Sequence, residues 1–166
     1  MVVVLLIVGG MLINSLTAER TVRDATQASN AGQLVAASVG QGVRNAQAIW
    51  KTEPVNIGDP ELLFVSTIDT QSTADPYCQA WSFQDGQIRT TTSGSAIATD
   101  SESVANWTLL SDGVAQVPGL SVFAETASRV TLNLDVESAE GQSVRITTSF
   151  TSRLLVAVPE DSAPCS

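Results

Sequence analysis

Cys78 and Cys165 are the residues of this 166-residue chain best placed to make a covalent bond. Neither sits in a CxxC or beside other soft ligands, so zinc is disfavoured. Two readings remain. They are two buried free thiols, or they form one disulfide joining the first β-hairpin to the C-terminus. A disulfide would close a loop of about 87 residues and stabilise by at most about 4–5 kcal/mol. It would also imply an oxidising, extracytoplasmic compartment. Histidine is absent, which removes the commonest general base, metal ligand and pH switch. No Ser-His-Asp or Cys-His mechanism can operate within the chain, and no GxSxG motif occurs.

The oxygen-bearing clusters are weak. Asp69, Asp75, Asp100 and Glu102 lie in two polar loops and could offer calcium ligands, but no EF-hand spacing is present and solvated loops are favoured. Asp135 and Glu137 alternate on the polar face of a strand and read as solvated surface. Asn106-Trp107-Thr108 matches a glycosylation sequon, a reading given little weight. Trp50, Trp81 and Trp107 read as packing residues rather than a stacking platform. The expectation is no catalytic residue, no cofactor and no metal. Charge points the same way. Asp and Glu total 17 against 8 Lys and Arg, a net charge of −9, and Lys51 is the only lysine. Direct nucleic-acid binding is disfavoured, because that affinity comes from neutralising phosphates.

The elements that would position these residues fall into two parts. Met1 to Ile13 (MVVVLLIVGGMLI) carries no charge. Val2, Val3, Val4, Leu5, Leu6, Ile7, Val8, Met11, Leu12 and Ile13 are the expected membrane and assembly residues. The run is short of the roughly 20 apolar residues of a spanning helix. It also lacks the positive n-region and small-x-small cleavage site of a signal peptide. An anchor in a membrane or filament is favoured over a signal peptide or a buried core helix, and the polypeptide is expected to begin upstream of Met1. Beyond Ile13, Val22, Ala25, Ala28, Gly32, Val35, Val39, Val43, Ala46 and Trp50 recur at steps of three or four, which predicts one helical stripe. Thr52-Glu53-Pro54 is the expected helix end, since the residue before proline is pushed out of the helical region.

The remainder reads as strands and turns. Leu62 to Ile68 and Tyr77 to Phe83 are strand candidates, the latter with Tyr77, Gln79, Trp81 and Phe83 on one face. Asp85-Gly86 then predicts a hairpin with Gln87 to Thr92. Ser93 to Ser103 reads as a polar loop. Trp107 to Val117 contains a second Asp-Gly at Asp112-Gly113. Leu120 to Glu125 begins the last sheet segment. Val130, Leu132, Leu134 and Val136 alternate, as do Val144, Ile146, Thr148 and Phe150, with Ser138 to Gln142 joining them. Leu154 to Val158 would extend that strand or add a last one. The predicted division is an apolar membrane or filament-core segment at 1–18, an amphipathic helix at 19–53 and a β-rich head at 54–166. The fold class is α+β: a long N-terminal helix, apolar then amphipathic, packed on an antiparallel sheet of four to seven strands.

Four stretches together resemble type IV pilin-like proteins, in particular minor pilins and pseudopilins with a prepilin-type N-terminal methylation segment. They are VVVLLIVGGMLINSLTAERTVRDATQAS, the Val43-Arg44-Asn45-Ala46 helix end, the Tyr77 to Arg89 hairpin, and Asn106 to Val114 followed by alternating strands. The Gly-Phe-Thr-Leu-x-Glu block that prepilins carry before the apolar run is not in this sequence, so no residue here takes its cleavage or docking roles. The resemblance implies a non-enzymatic structural subunit of an extracytoplasmic type IV pilus or type II secretion-like filament. Its helix would sit first in the inner, cytoplasmic membrane, then among other pilin-like subunits, handled by pilus or secretion assembly machinery. The implied location is a single-pass membrane protein with an extracytoplasmic head, then the bacterial cell surface. The competing expectation is a membrane-tethered or secreted β-sheet binding module that does not polymerise. An extracytoplasmic hydrolase ranks last.

Overall fold

Val35, Val39, Val43 and Ala46 are spaced to put one side chain per turn on a single line, and that line is fully buried. It belongs to helix α1, Val2–Asn45, 44 residues and so about 66 Å long at 1.5 Å per residue. The computed structural model describes residues 2–56, 58–68, 76–138, 143–153 and 165, without the side chains of residues 2–14 and a few others. The expected strand at Leu154 to Val158 and the loop residues Asp69 and Asp75 lie outside the described residues.

The helix ends earlier than its periodicity predicts. The stripe from Val22 to Trp50 keeps helical spacing, yet α1 stops at Asn45 and Ala48–Thr52 is strand β1. The expected 19–53 helix is therefore corrected to one ending at residue 45. Three bonds explain the change of course. The Ala46 N–H turns back to the Val43 carbonyl, Ser152 Oγ donates to the Ala46 carbonyl at 2.6 Å, and the Gln47 N–H donates to the Ser66 carbonyl at 2.8 Å. Sheet pairing then takes over a segment containing Ile49, Trp50 and Thr52, types that suit strands. Trp50 stands opposite Phe64, the rings stacked 5.3 Å apart.

One sheet was expected, and there are two. Strands β1, β2 (Glu61–Ile68), β3 (Pro76–Gln84), β4 (Gln87–Ser93) and β5 (Thr108–Ser111) form an antiparallel meander in chain order. The Asp85-Gly86 turn joins β3 to β4 as predicted, both residues at positive φ. Asp112-Gly113 does something different. It carries the chain out of the first sheet, so that β6 (Val114–Gln116) pairs with β8 (Arg129–Glu137) in the second. Strand β7 (Phe123–Thr126) pairs with the first half of β8 and β6 with its second half, while β9 (Ser143–Thr151) runs along all of β8. Strands β6 and β7 therefore lie end to end on one side of β8, with β9 on the other.

Both sheets share α1 as their cover. Leu63, Val65, Trp81 and Ile88 from the first sheet meet Val130, Leu132, Leu134, Val136 and Phe150 from the second beneath the helical stripe. The helix comes close because it is bare where it touches. A Cβ at Gly42 would overlap the Trp81 ring, and one at Gly40 would lie 2.6 Å from Phe150 Cε1. Trp81 is held by its Nε1–H, which donates to Ser38 Oγ on α1 at 2.9 Å. The opposite face of the first sheet buries Leu62, Phe64 and Ala80 under a separate cover containing Ile97, Val104 and Trp107. That cover includes a short helix α2, Ser101–Ala105, capped by Asp100, whose carboxylate accepts the Ser103 N–H.

Candidate interaction surface

Among the described residues no group of three or more Cys, Asp and Glu could hold a metal ion. Asp100 is engaged as a helix cap, and its hydrogen bonds from Ser103 hold its carboxyl below the usual aspartate range. Asp135 departs from expectation. It is buried rather than solvated, because Arg145 on the neighbouring strand grips it through Nε and Nη2 at 2.9 and 2.8 Å. The hydrogen bonds from Arg145 pull its pKa down.

Cys78 and Cys165 are disulfide-bonded, with Cα atoms 5.8 Å apart and a sequence separation of 87. Both are fully buried in the smaller core. The Ile97 N–H donates to the Cys165 carbonyl, so the bond also fixes the loop that covers Leu62 and Phe64. Of the two cysteine readings, the disulfide is the one present.

The two sheets are joined by a polar clasp with no obvious sequence signal. Glu61 is buried at the start of β2 and accepts the Phe123 N–H at 2.7 Å and the Val122 N–H at 3.1 Å. Lys51 Nζ lies 3.8 Å from Glu61 and also pairs with Glu53. Burial raises the Glu61 pKa, opposed by the two N–H groups and Lys51. Burial raises that of Glu125 as well, again with Lys51 opposing. The backbone N–H groups of Val122 and Phe123, more than 60 residues away in sequence, make Glu61 structural; a lone Glu before an apolar strand does not announce them.

Among the described residues, two open surfaces bear on partner binding. The first is the described part of α1 before Asp24, from Ser15 to Arg23. The first buried residue of the helix among those described is Ala28, and Ser15, Thr17 to Arg20, Val22 and Arg23 are exposed. Val22, placed on the buried stripe by sequence, is 67% exposed because the head does not reach it. Val2 to Ile13, the run expected from sequence to be an anchor, form the first turns of α1; their side chains lie outside the described residues. Among the described residues no helix is long and apolar enough to cross a membrane. The second surface is a groove of about 440 Å³ between α1 and β9, walled by Ala37, Gly40, Ile146 and Phe150. Arg44 closes one end, its guanidinium 5.6 Å above the Phe150 ring centre. No known protein family, curated protein or solved structure matches this chain.

Proposed function

We propose that this chain is a structural subunit, of minor-pilin or pseudopilin type, of an extracytoplasmic type IV pilus or type II secretion-like filament. The observation that carries the proposal is the division of α1. From Ala28 to Asn45 it is part of the head's core, and N-terminal to Asp24 its described side chains, half-buried Thr21 apart, face outward. A helix half-committed to a head has its other half available to like helices. A head-to-tail contact between such helices does not close on itself and so propagates a filament. The apolar run Val2 to Ile13 suits a helix that rests in a membrane and then among neighbouring helices. The disulfide supports an oxidising compartment for the head. In this reading the partners are other pilin-like subunits, the inner membrane and the assembly machinery, and the chain is not an enzyme.

The test is site-specific photo-crosslinking of the full chain in bacterial membranes, with a photoreactive residue in place of Val8, Leu12 or, as a control, Leu120. We expect ladders of regularly spaced crosslinked species from Val8 and Leu12 and none from Leu120. Monomer alone from both helix positions, under conditions where the head is disulfide-bonded, would sink the proposal.

A further inference from the structure

We infer that the groove between α1 and β9 receives an extended acidic segment of a partner protein, which adds a strand to the outer edge of β9 and places a carboxylate on Arg44. This goes beyond subunit packing through the helix and does not depend on it. Four observations carry it.

First, among the described residues no strand pairs with the outer edge of β9. Among the described residues β9 pairs only with β8, over nine residues in unbroken register. Alternate backbone N–H and C=O groups on its far side are left for another strand. Native edge strands are usually blunted by proline, a bulge or projecting charge. Strand β9 has no proline and no bulge, and its one charged residue, Arg145, is drawn across to Asp135.

Second, the space beside that edge is apolar and shaped by small residues. Ala36 and Ala37 keep the helix wall low, Gly40 rests on Phe150, and Ile146 and Phe150 form the floor. Third, the length fits. The groove follows α1 from Ser29 to Arg44, about 22 Å at 1.5 Å per residue, and a strand of six or seven residues at about 3.3 Å each spans the same distance.

Fourth, the charge is complementary. Both charged residues lining the groove are arginines, in a chain of net charge −9. Arg145 is neutralised by Asp135, and among the described residues Arg44 has no carboxylate partner. A guanidinium left without its anion at the mouth of an apolar groove recognises a carboxylate. The net charge disfavours a second copy of this chain as the occupant. An added strand gains affinity from its backbone and specificity from alternate side chains. The fitting segment thus has apolar residues at every second position and Asp or Glu at one end.

The full chain in detergent micelles would be used to select from a displayed library of random heptapeptides. We expect enrichment of peptides with alternating apolar residues and a terminal acid. Their synthetic forms should lose at least tenfold in affinity against Ala37→Trp, which fills the groove from an exposed position, and against Arg44→Glu. N-methylation of alternate peptide amides should cause a similar loss. Circular dichroism and the melting temperature check that each variant is folded. Failure to enrich this pattern would overturn the inference, as would binders indifferent to both substitutions or to N-methylation.

Discussion

Glu61 shows how much one buried carboxylate can hold. Its two oxygens satisfy the backbone at the start of β7, so it fastens the second sheet to the first. Replacing it with Gln turns an amide donor toward one of those N–H groups. We expect Glu61→Gln to destabilise by about 1–3 kcal/mol at pH 7, measured by urea denaturation. The pH dependence follows from the direction of the shift. The folded-state pKa is raised above 4.5, so folding favours the protonated form. That contribution is fully present below pH 4.5 and is lost as pH rises through the folded value. The gap between the native protein and Glu61→Gln should therefore widen as pH is lowered from 7 to 4; a gap that narrows would refute the assignment. Asp135 has the opposite sign. Arg145 depresses its pKa, so its contribution is present above about pH 3.8 and fades as pH falls through the folded value. The Asp-Arg grip was missed in sequence because alternation alone cannot show that a polar strand face is covered by its neighbour.

At the scale of elements, the approach of α1 to the two sheets depends on the absence of side chains. Gly42 faces Trp81, and the ring is held by Ser38, so it cannot swing aside without losing that hydrogen bond. Alanine there would gain helix propensity, by about 1 kcal/mol in an exposed helix. We expect the clash to win instead, with Gly42→Ala destabilising by about 1–3 kcal/mol in a denaturant titration. An increase in stability would mean that the helix and sheet are less tightly seated than described. The element map was legible wherever periodicity and turn chemistry agreed. The Asp85-Gly86 hairpin and the alternation of β8 and β9 were readable for that reason. The end of α1 was not legible from periodicity, because Ala46 and Trp50 happen to extend a helical spacing across a segment captured by β2. Asp112-Gly113 was equally opaque: the same dipeptide makes a hairpin at one place and a crossing between sheets at another, and only distant partners distinguish them. The groove beside β9 left no sequence signal, since its walls come from α1 and β9, about a hundred residues apart.

At the scale of the whole molecule, the chain is held by one helix shared between two sheets and by one covalent tie. The pairing of Cys78 with Cys165 was one of two readings open in sequence, and the fold selects it by bringing the Cα atoms to 5.8 Å. Removing it with Cys78→Ser and Cys165→Ser together should cost at most about 4–5 kcal/mol, by the chain-entropy estimate for a loop of this size. The loss should be uneven. Amide exchange at Ile97 and Val104, in the cover tied to Cys165, should accelerate more than at Val65 or Leu132 in the main core. Equal acceleration at all four would mean that the tie stabilises the unfolded-state balance alone and does not secure the cover. The tie also has a mechanical consequence. A head pulled by its helix and its C-terminus could pay out only the residues outside the crosslinked loop. At about 3.5 Å per residue, that limits its extension to roughly 270 Å, against roughly 580 Å for the whole chain. Strands β4 to β9 lie within the loop, so most of the head stays off the line of force and can refold once the tension drops.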